Sequence, residues 1–320
     1  MRLPVGTVRR TLIRLLSKDV WCTFLWPQTS RLSFDLAIAC GGPNIIPEVA
    51  GKPMMKLMFH HMLGAFHYRG VPVIDAAVGS CYPLEHVPEI ITDPLDRAYF
   101  VRQHRFLAAS TVRDTLAKTL WEELGFHPEI IPCAAIVSGA FFERVAEGVK
   151  RDQYILVNFQ ERGANSDWQQ HVDPVVWRST VQQVIETLKR DHAVHMLCHN
   201  EKERELARGF GVPVHLPTTP EEYGKIIAGA KVAFVSRLHA AIPLAGIGVP
   251  SLVAGTDSRL RAVEFMGLPT VFAKNADSEA ILKKIYRLVE IRSGERQRLI
   301  TLRERTADDY CAVIRRVVGR

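Results

Sequence analysis

The chain has 320 residues, 47% of them apolar and 23% charged, with a net charge of +7 when histidine is neutral. This balance belongs to a folded chain with a sizeable core, in one large domain or two, and excludes a disordered or fibrous protein. No apolar run is long enough to span a bilayer, and the modest, scattered basic excess comes with no nucleic-acid-binding module, so no nucleic-acid partner is expected.

Residues 1–26 mix basic side chains (Arg9, Arg10, Arg14) with apolar ones (Leu12, Ile13, Leu15, Leu16, Trp21, Phe24). They lack the unbroken apolar core and cleavage site of a signal peptide and read as an amphipathic surface helix, packed on the protein or resting on a membrane. Residues 35–39 read as a short strand ending in Gly41 and Gly42, a pair that permits close backbone approach to a ligand or another segment. Further strands are expected at 71–78, 106–112 and 129–131, with a helix at 115–124 that stops at Gly125. The 106–112 strand delivers Arg113 and Asp114. This alternation over 35–137 indicates a parallel α/β sheet.

The rhythm pauses at 137–151 and restarts with a strand at 154–159, followed by the polar loop 160–165 that holds Arg162. A helix at 174–190 presents Val181, Val184, Ile185 and Leu188 on one face. A strand at 193–198, a charged helix at 200–209 and a strand at 212–216 follow. Thr218 or Thr219 caps a helix that begins at Pro220, with Glu221 and Glu222 in its first turn. Closing helices are expected at 277–289 and 296–318. Two domains result, at 1–145 and 146–320.

The most informative stretch is 231–250. A buried strand at 232–235 meets Ser236, a good helix N-cap, and a helix of small and apolar residues follows. Arg237 and His239 then lie where a strand hands over to a helix, a junction that offers free backbone N–H groups and the positive end of a helix dipole to an anion. Arg237 supplies a planar fork for phosphate or carboxylate, and His239 can exchange a proton near neutral pH. A solvated cap or a domain-interface pair would place the same residues there. The six cysteines are scattered with no Cys-x-x-Cys pair. Cys198 and His199 adjoin without a second ligand pair at zinc-like spacing, so a reducing compartment and no metal are expected.

Two βα domains in series, with an anion-suited strand end in the second, describe two Rossmann-like domains in a GT-B-like arrangement. The residues carry a further likeness. Thr219-Pro220-Glu221-Glu222, then Ser236-Arg237-Leu238-His239-Ala240, then Gly246-Ile247-Gly248-Val249-Pro250 and the segment 257–269 resemble the C-terminal signature of the polysaccharide pyruvyl transferase family. Ser110-Thr111-Val112-Arg113-Asp114 resembles that family's first-domain motif. The resemblance implies transfer of a pyruvyl group from phosphoenolpyruvate, as co-substrate and without a cofactor, to hydroxyls of a glycan or lipid-linked saccharide. It implies catalytic roles for Arg237 and His239, and substrate contacts for Arg162, Arg259, Gly41 and Gly42. It also implies a cytoplasmic enzyme, with or without contact at the inner face of the membrane. The family's N-terminal glycine-asparagine-x-glycine-aspartate loop has no counterpart here, so the first domain is expected to be shortened or divergent. Two other readings stand beside it: a GT-B glycosyltransferase that uses a nucleotide sugar, and a non-catalytic homologue.

Overall fold

A computed structural model describes residues 33–52, 55, 62–164 and 168–319. The amphipathic helix expected at 1–26 lies outside them. The first sheet is fully parallel and is built from β1 (Ala37–Cys40), β2 (Val73–Val78), β3 (Ala109–Val112) and β4 (Glu129–Ile130), in the order β1-β2-β3-β4. Its helices are α1 (Met62–Tyr68), α2 (Pro94–His104) and α3 (Thr115–Glu123); α4 (Gly139–Val145) follows and buries Phe142 in a cluster with Ile227 and Leu244 of the second domain. Asp114 caps α3 by accepting from the Ala117 N–H at 2.7 Å, as N-cap chemistry requires. The helix α2 has no counterpart among the expected elements. It buries Asp96, Tyr99, Phe100 and Gln103 together, so polar residues interrupt the apolar period that would have announced it.

The second sheet contains β5 (Tyr154–Asn158), β6 (Val194–Leu197), β7 (Val214–His215), β8 (Ala230–Val235), β9 (Ser251–Gly255) and β10 (Thr270–Phe272). They are parallel and run in the order β10-β9-β8-β5-β6-β7. Counted within this sheet, that is the 3-2-1-4-5-6 order of a doubly wound nucleotide-binding fold. The connecting helices are α5 (Pro174–Leu188), α6 (Glu201–Arg208), α7 (Pro220–Gly229), α8 (Leu238–Gly246) and α9 (Leu260–Phe265). The strands β5 and β8 are buried along nearly their whole length, with Ile155, Leu156, Val157, Val232, Ala233 and Val235 at 0% exposure. Coverage on both faces is what a parallel sheet with crossover helices demands.

The two closing helices expected at 277–289 and 296–318 are one, α10 (Ser278–Val318), of 41 residues. Gly294 does not break it, because a lone glycine inside a helix costs only about 1 kcal/mol and the packing on either side outweighs that. At the rise of a helix, α10 is roughly 60 Å long. Its start packs on the second sheet through Ile281, Ile285 and Leu288. Its end returns to the first sheet, where Val313 and Val317 bury against Ile74, Ala76 and Ile131. No helix among the described residues is long and apolar enough to cross a membrane.

The seam between the sheets is closely fitted. Gly139 opens α4 against Gly246 at the end of α8, so near that a Cβ on Gly139 would stand 2.0 Å from the Gly246 carbonyl oxygen. The Ser80 and Ser258 hydroxyls share a hydrogen bond at 2.7 Å, and the Tyr82 N–H donates to Ser258 Oγ at 3.0 Å. Both contacts join segments about 180 residues apart in sequence, so the two domains meet through buried polar pairs as well as apolar surface.

Candidate functional site

In a doubly wound sheet the ligand crevice opens at the carboxyl ends of the strands where the strand order reverses. Here that point lies between β5 and β8, and both strand ends lead directly into the residues singled out in the sequence. From β5 the chain passes through Phe159 into the turn that holds Arg162. From β8 it passes Ser236 to Arg237. Ser236 does not cap the helix as expected. Arg237 itself occupies the N-cap position of α8 with extended backbone and no side-chain cap, which leaves its guanidinium free to turn away from the helix.

It turns to Glu203. Arg237 Nε donates to Glu203 Oε1 at 2.5 Å. The other carboxylate oxygen accepts from the His199 N–H at 2.9 Å and from Asn158 Nδ2 at 3.1 Å, and lies 3.2 Å from His199 Nδ1. Burial by itself would raise the Glu203 carboxyl. The hydrogen bonds from His199 and Arg237 outweigh it and hold the group below the usual carboxylate range, so Glu203 is a fixed anion at neutral pH. One carboxylate thus ties together the ends of β5, β6 and β8. Nothing in the sequence singled it out. The Asn200 cap, which accepts from the Glu203 N–H at 2.9 Å, is visible as a local pattern, but the partner 34 residues away is not.

The same residues line a cleft of about 220 Å³. Gln160, Glu161, Arg162 and Ala164 from the loop after β5, Asn200, Lys202, Glu203 and Leu206 from α6 and its N-cap, and Arg237 line it. Three cations, Arg162, Lys202 and Arg237, therefore share one space with two carboxylates: Arg237 is paired with Glu203, and Lys202 Nζ lies 3.5 Å from Glu161 Oε2. Such a set, at the switch point of a parallel sheet, suits a phosphate-bearing ligand. The structure brings Arg162 and Arg237 to one cleft.

His239 stands one helical residue beyond. Its ring keeps a solvent-accessible face, while protein crowds the rest. That desolvation, together with the positive charges of Arg113, Arg259 and Arg237, pushes its pKa down to about 4. It is a neutral base at pH 7, able to accept a proton and unable to donate one. The folded pKa lies below the ordinary 6.5, so between those values the unfolded chain binds more protons. This contribution to stability is present above 6.5 and is lost as the pH falls toward 4. The ring's exposure screens the effect, which we expect to be roughly 1 kcal/mol. Melting temperature followed from pH 7 to pH 4 should fall less in His239→Gln than in the native chain. Equal slopes would show that the ring is not held neutral.

The other expected residues fall elsewhere. Arg259 is gripped at both ends by Asp257, with Nε to Oδ1 at 2.8 Å and Nη2 to Oδ2 at 2.7 Å. Its fork is already engaged, so it serves as part of the positive surroundings of His239 and not as an open anion hook. Gly41 and Gly42 end β1 in the first domain, away from the Arg162–Arg237 cleft. Gly41 has φ +73° and its carbonyl accepts from Arg113 Nη1 at 3.3 Å. Asp114 is a structural anchor, taking the Ser80 N–H at 2.8 Å and the Ser80 hydroxyl at 2.9 Å in addition to its cap contact. Among the described residues no three His, Cys, Asp or Glu side chains gather as a metal-ligand group.

No family model matches the chain, and no curated protein matches it in sequence. Solved structures do match in fold. The UDP-GlcNAc 2-epimerase of Neisseria meningitidis bound to UDP-GlcNAc aligns with TM-score 0.53 and 12% identity, over 88% of this chain and 74% of that one. The MnaA–UDP structure from S. aureus gives 0.53 and 11%, over 95% and 77%. UGT73P12 of Glycyrrhiza uralensis, complexed with glycyrrhetinic acid 3-O-monoglucuronide, gives 0.54 and 10%, over 98% and 78%. The chain has the GT-B fold, with two Rossmann-like domains. These findings correct the expectation of pyruvyl transfer from phosphoenolpyruvate, because the fold relatives are UDP-GlcNAc 2-epimerases and glycosyltransferases. The physical reason lies in the motif. A buried strand, a cationic turn, a helix of small residues and a Gly-x-Pro exit are what the β8–α8–β9 unit needs to pack, with Gly246 pressed against Gly139. Arg237-Leu238-His239 and its surroundings therefore report the fold and do not name the donor.

Proposed function

We propose that the chain is a nucleotide-sugar enzyme of the GT-B form, transferring a sugar from a uridine-diphosphate donor to a hydroxyl of a glycan acceptor. The observation that carries this reading is the cationic cleft of Arg162, Lys202 and Arg237 at the switch point of the second sheet. Its volume of about 220 Å³ is below the roughly 300–1,000 Å³ that encloses a whole drug-sized ligand. That is the scale of the diphosphate end of the donor, and in this reading the sugar would lie toward His239. Support comes also from fold relatives that hold UDP or UDP-GlcNAc.

The chemistry follows from the geometry. The acceptor oxygen attacks the anomeric carbon, the bond from that carbon to the phosphate oxygen breaks, and UDP leaves with the electron pair. Arg237 and Arg162 stabilise the charge that develops on the departing diphosphate. His239, neutral before reaction, takes the acceptor proton. A bound diphosphate offsets the cations around the ring, so donor binding raises its basicity when it is needed.

The test is a thermal-shift titration with UDP on the native chain and on Arg237→Ala. A ligand that binds only the folded state adds about 2.7 kcal/mol at a hundredfold excess over Kd. We expect that shift in the native chain and its loss in the variant. A folded native chain that gives no shift with UDP would overturn the reading. Incubation with UDP-GlcNAc then separates glycosyl transfer from the epimerisation named for the fold relatives. Transfer releases UDP only when an acceptor is present, whereas epimerisation changes the sugar without one.

A further inference from the structure

Arg113 follows β3 in the first domain and is entirely buried, with 0% of its surface exposed. Burying a guanidinium is expensive unless its charge is paired and its N–H groups are satisfied. Here the charge has no ion-pair partner in contact among the described residues, Asp114 acting on it only at a distance, and the N–H groups are only partly satisfied. Nη1 donates to the Gly41 carbonyl at 3.3 Å and to Cys133 Sγ at 3.4 Å, both weak contacts. Nε and Nη2 have no partner among the described residues. These two form the side-on edge of the fork, the edge that grips two oxygens of one phosphate or carboxylate. The neighbouring Asp114, which would be the obvious counter-charge, is spent on Ser80 and on the α3 cap.

The local backbone makes room for that fork. A Cβ on Gly79 would stand 2.4 Å from Arg113 Nε, so only glycine leaves the space the guanidinium fills. Two residues earlier Ala77, at φ +57° inside β2, marks a register shift against β3. Such a bulge turns a strand end inward at an energetic cost, and conformations of this kind gather at ligand sites. The Ala77 N–H is held there by Thr111 Oγ1 at 2.9 Å. The fork also lies close enough to His239, across the domain seam, to be the strongest of the charges that act on that ring.

We infer that Arg113 is a second anion-binding residue, buried at the domain seam and outside the Arg162–Arg237 cleft, gripping through Nε and Nη2 a phosphate or carboxylate group of the ligand that the first domain presents to His239. The anion site stands on the orphaned fork alone. Its assignment to the acceptor rests on the reading of the chain as a nucleotide-sugar enzyme, with the donor in the second domain, and it makes that acceptor an acidic one. Since the fork is sealed from solvent, entry requires the domains to part at the Ser80–Ser258 contact.

The test uses the full chain in an Arg237→Ala background, which weakens the second-domain cleft; whatever Arg162 and Lys202 still bind does not depend on Arg113. Inorganic phosphate and acetate are titrated separately, with melting temperature and the His239 ring proton signal as readouts. Saturation with at least one of them should raise the melting temperature and move the His239 midpoint upward. Phosphate alone would mark a phosphorylated acceptor, acetate alone an acid sugar, and both an unselective fork. Adding Arg113→Gln should weaken the response by about tenfold or more. Should that variant fail to fold, Gly79→Ala displaces the same fork while keeping the arginine, and should weaken the response likewise. No response to either anion, or a response that Arg113→Gln and Gly79→Ala leave intact, would overturn the inference. A separate UDP titration of Arg113→Gln alone keeps the two ideas apart. A retained UDP shift supports the donor site whatever the anion result, and a missing one in the native chain removes the donor reading without touching the fork.

Discussion

Glu203→Ala will cost the fold about 3–5 kcal/mol, the range seen when one partner of a buried ion pair is removed and the other is left behind. Glu203 is 5% exposed and takes hydrogen bonds from Arg237, Asn158 and the His199 backbone. Its loss strands three donors from three strand ends at once. Glu203→Gln keeps the shape and the acceptor oxygen and should lose less than half as much. Urea unfolding measures both. The charge also sets a pH signature of its own. A carboxyl held below its usual range gives stability that is present above the ordinary glutamate pKa and is lost as the pH falls through the lower folded value. Acid sensitivity below the ordinary glutamate pKa should therefore diminish in Glu203→Ala. Arg237 loses its Nε anchor as well, so UDP affinity should fall by about tenfold. A variant as stable as the native chain would show that the Glu203 hub holds nothing together.

Gly139→Ala is expected to cost about 3 kcal/mol or more, at the upper end for overpacking. The added Cβ would meet the Gly246 carbonyl oxygen at 2.0 Å and its carbon at 2.2 Å. Both are backbone atoms inside a helix, so neither can swing aside as a side chain would. Relief requires α4 and α8 to separate, and α8 carries His239 in its first turn. The Gly246 carbonyl is also pinned by Arg303 Nη1 at 2.9 Å, which resists that movement. Loss of stability should thus be accompanied by loss of turnover beyond what unfolding explains. Gly294→Ala is the control. Nothing lies within 4 Å of its Cβ position inside α10, so alanine there should stabilise by about 1 kcal/mol. A native-like Gly139→Ala would mean that the α4–α8 seam gives way easily.

The sequence by itself determined the parallel α/β character and most of the second domain. Strands such as 154–158 and 230–235 are buried on both faces, so they appear as short unbroken apolar runs. The helices between them declare themselves by caps, with Asp173, Asn200, Thr219 and Asp277 each accepting first-turn N–H groups. These are local effects, and local chemistry is legible along a chain. The placement of Arg237 and Arg162 just beyond strand ends was legible for the same reason, two and four residues past Val235 and Asn158. Tertiary structure alone decided the rest. Glu203 and Asp257 acquire their roles from partners brought near by folding. Arg259 looks like an anion hook until Asp257 is seen to occupy it. A motif shaped by packing at Gly139 and Gly246 passed for the mark of a particular donor, because a strand–turn–helix junction imposes similar residues whatever ligand it serves. The electrostatic state of His239 depends on three arginines from two domains, and only the closed chain brings those charges to one ring.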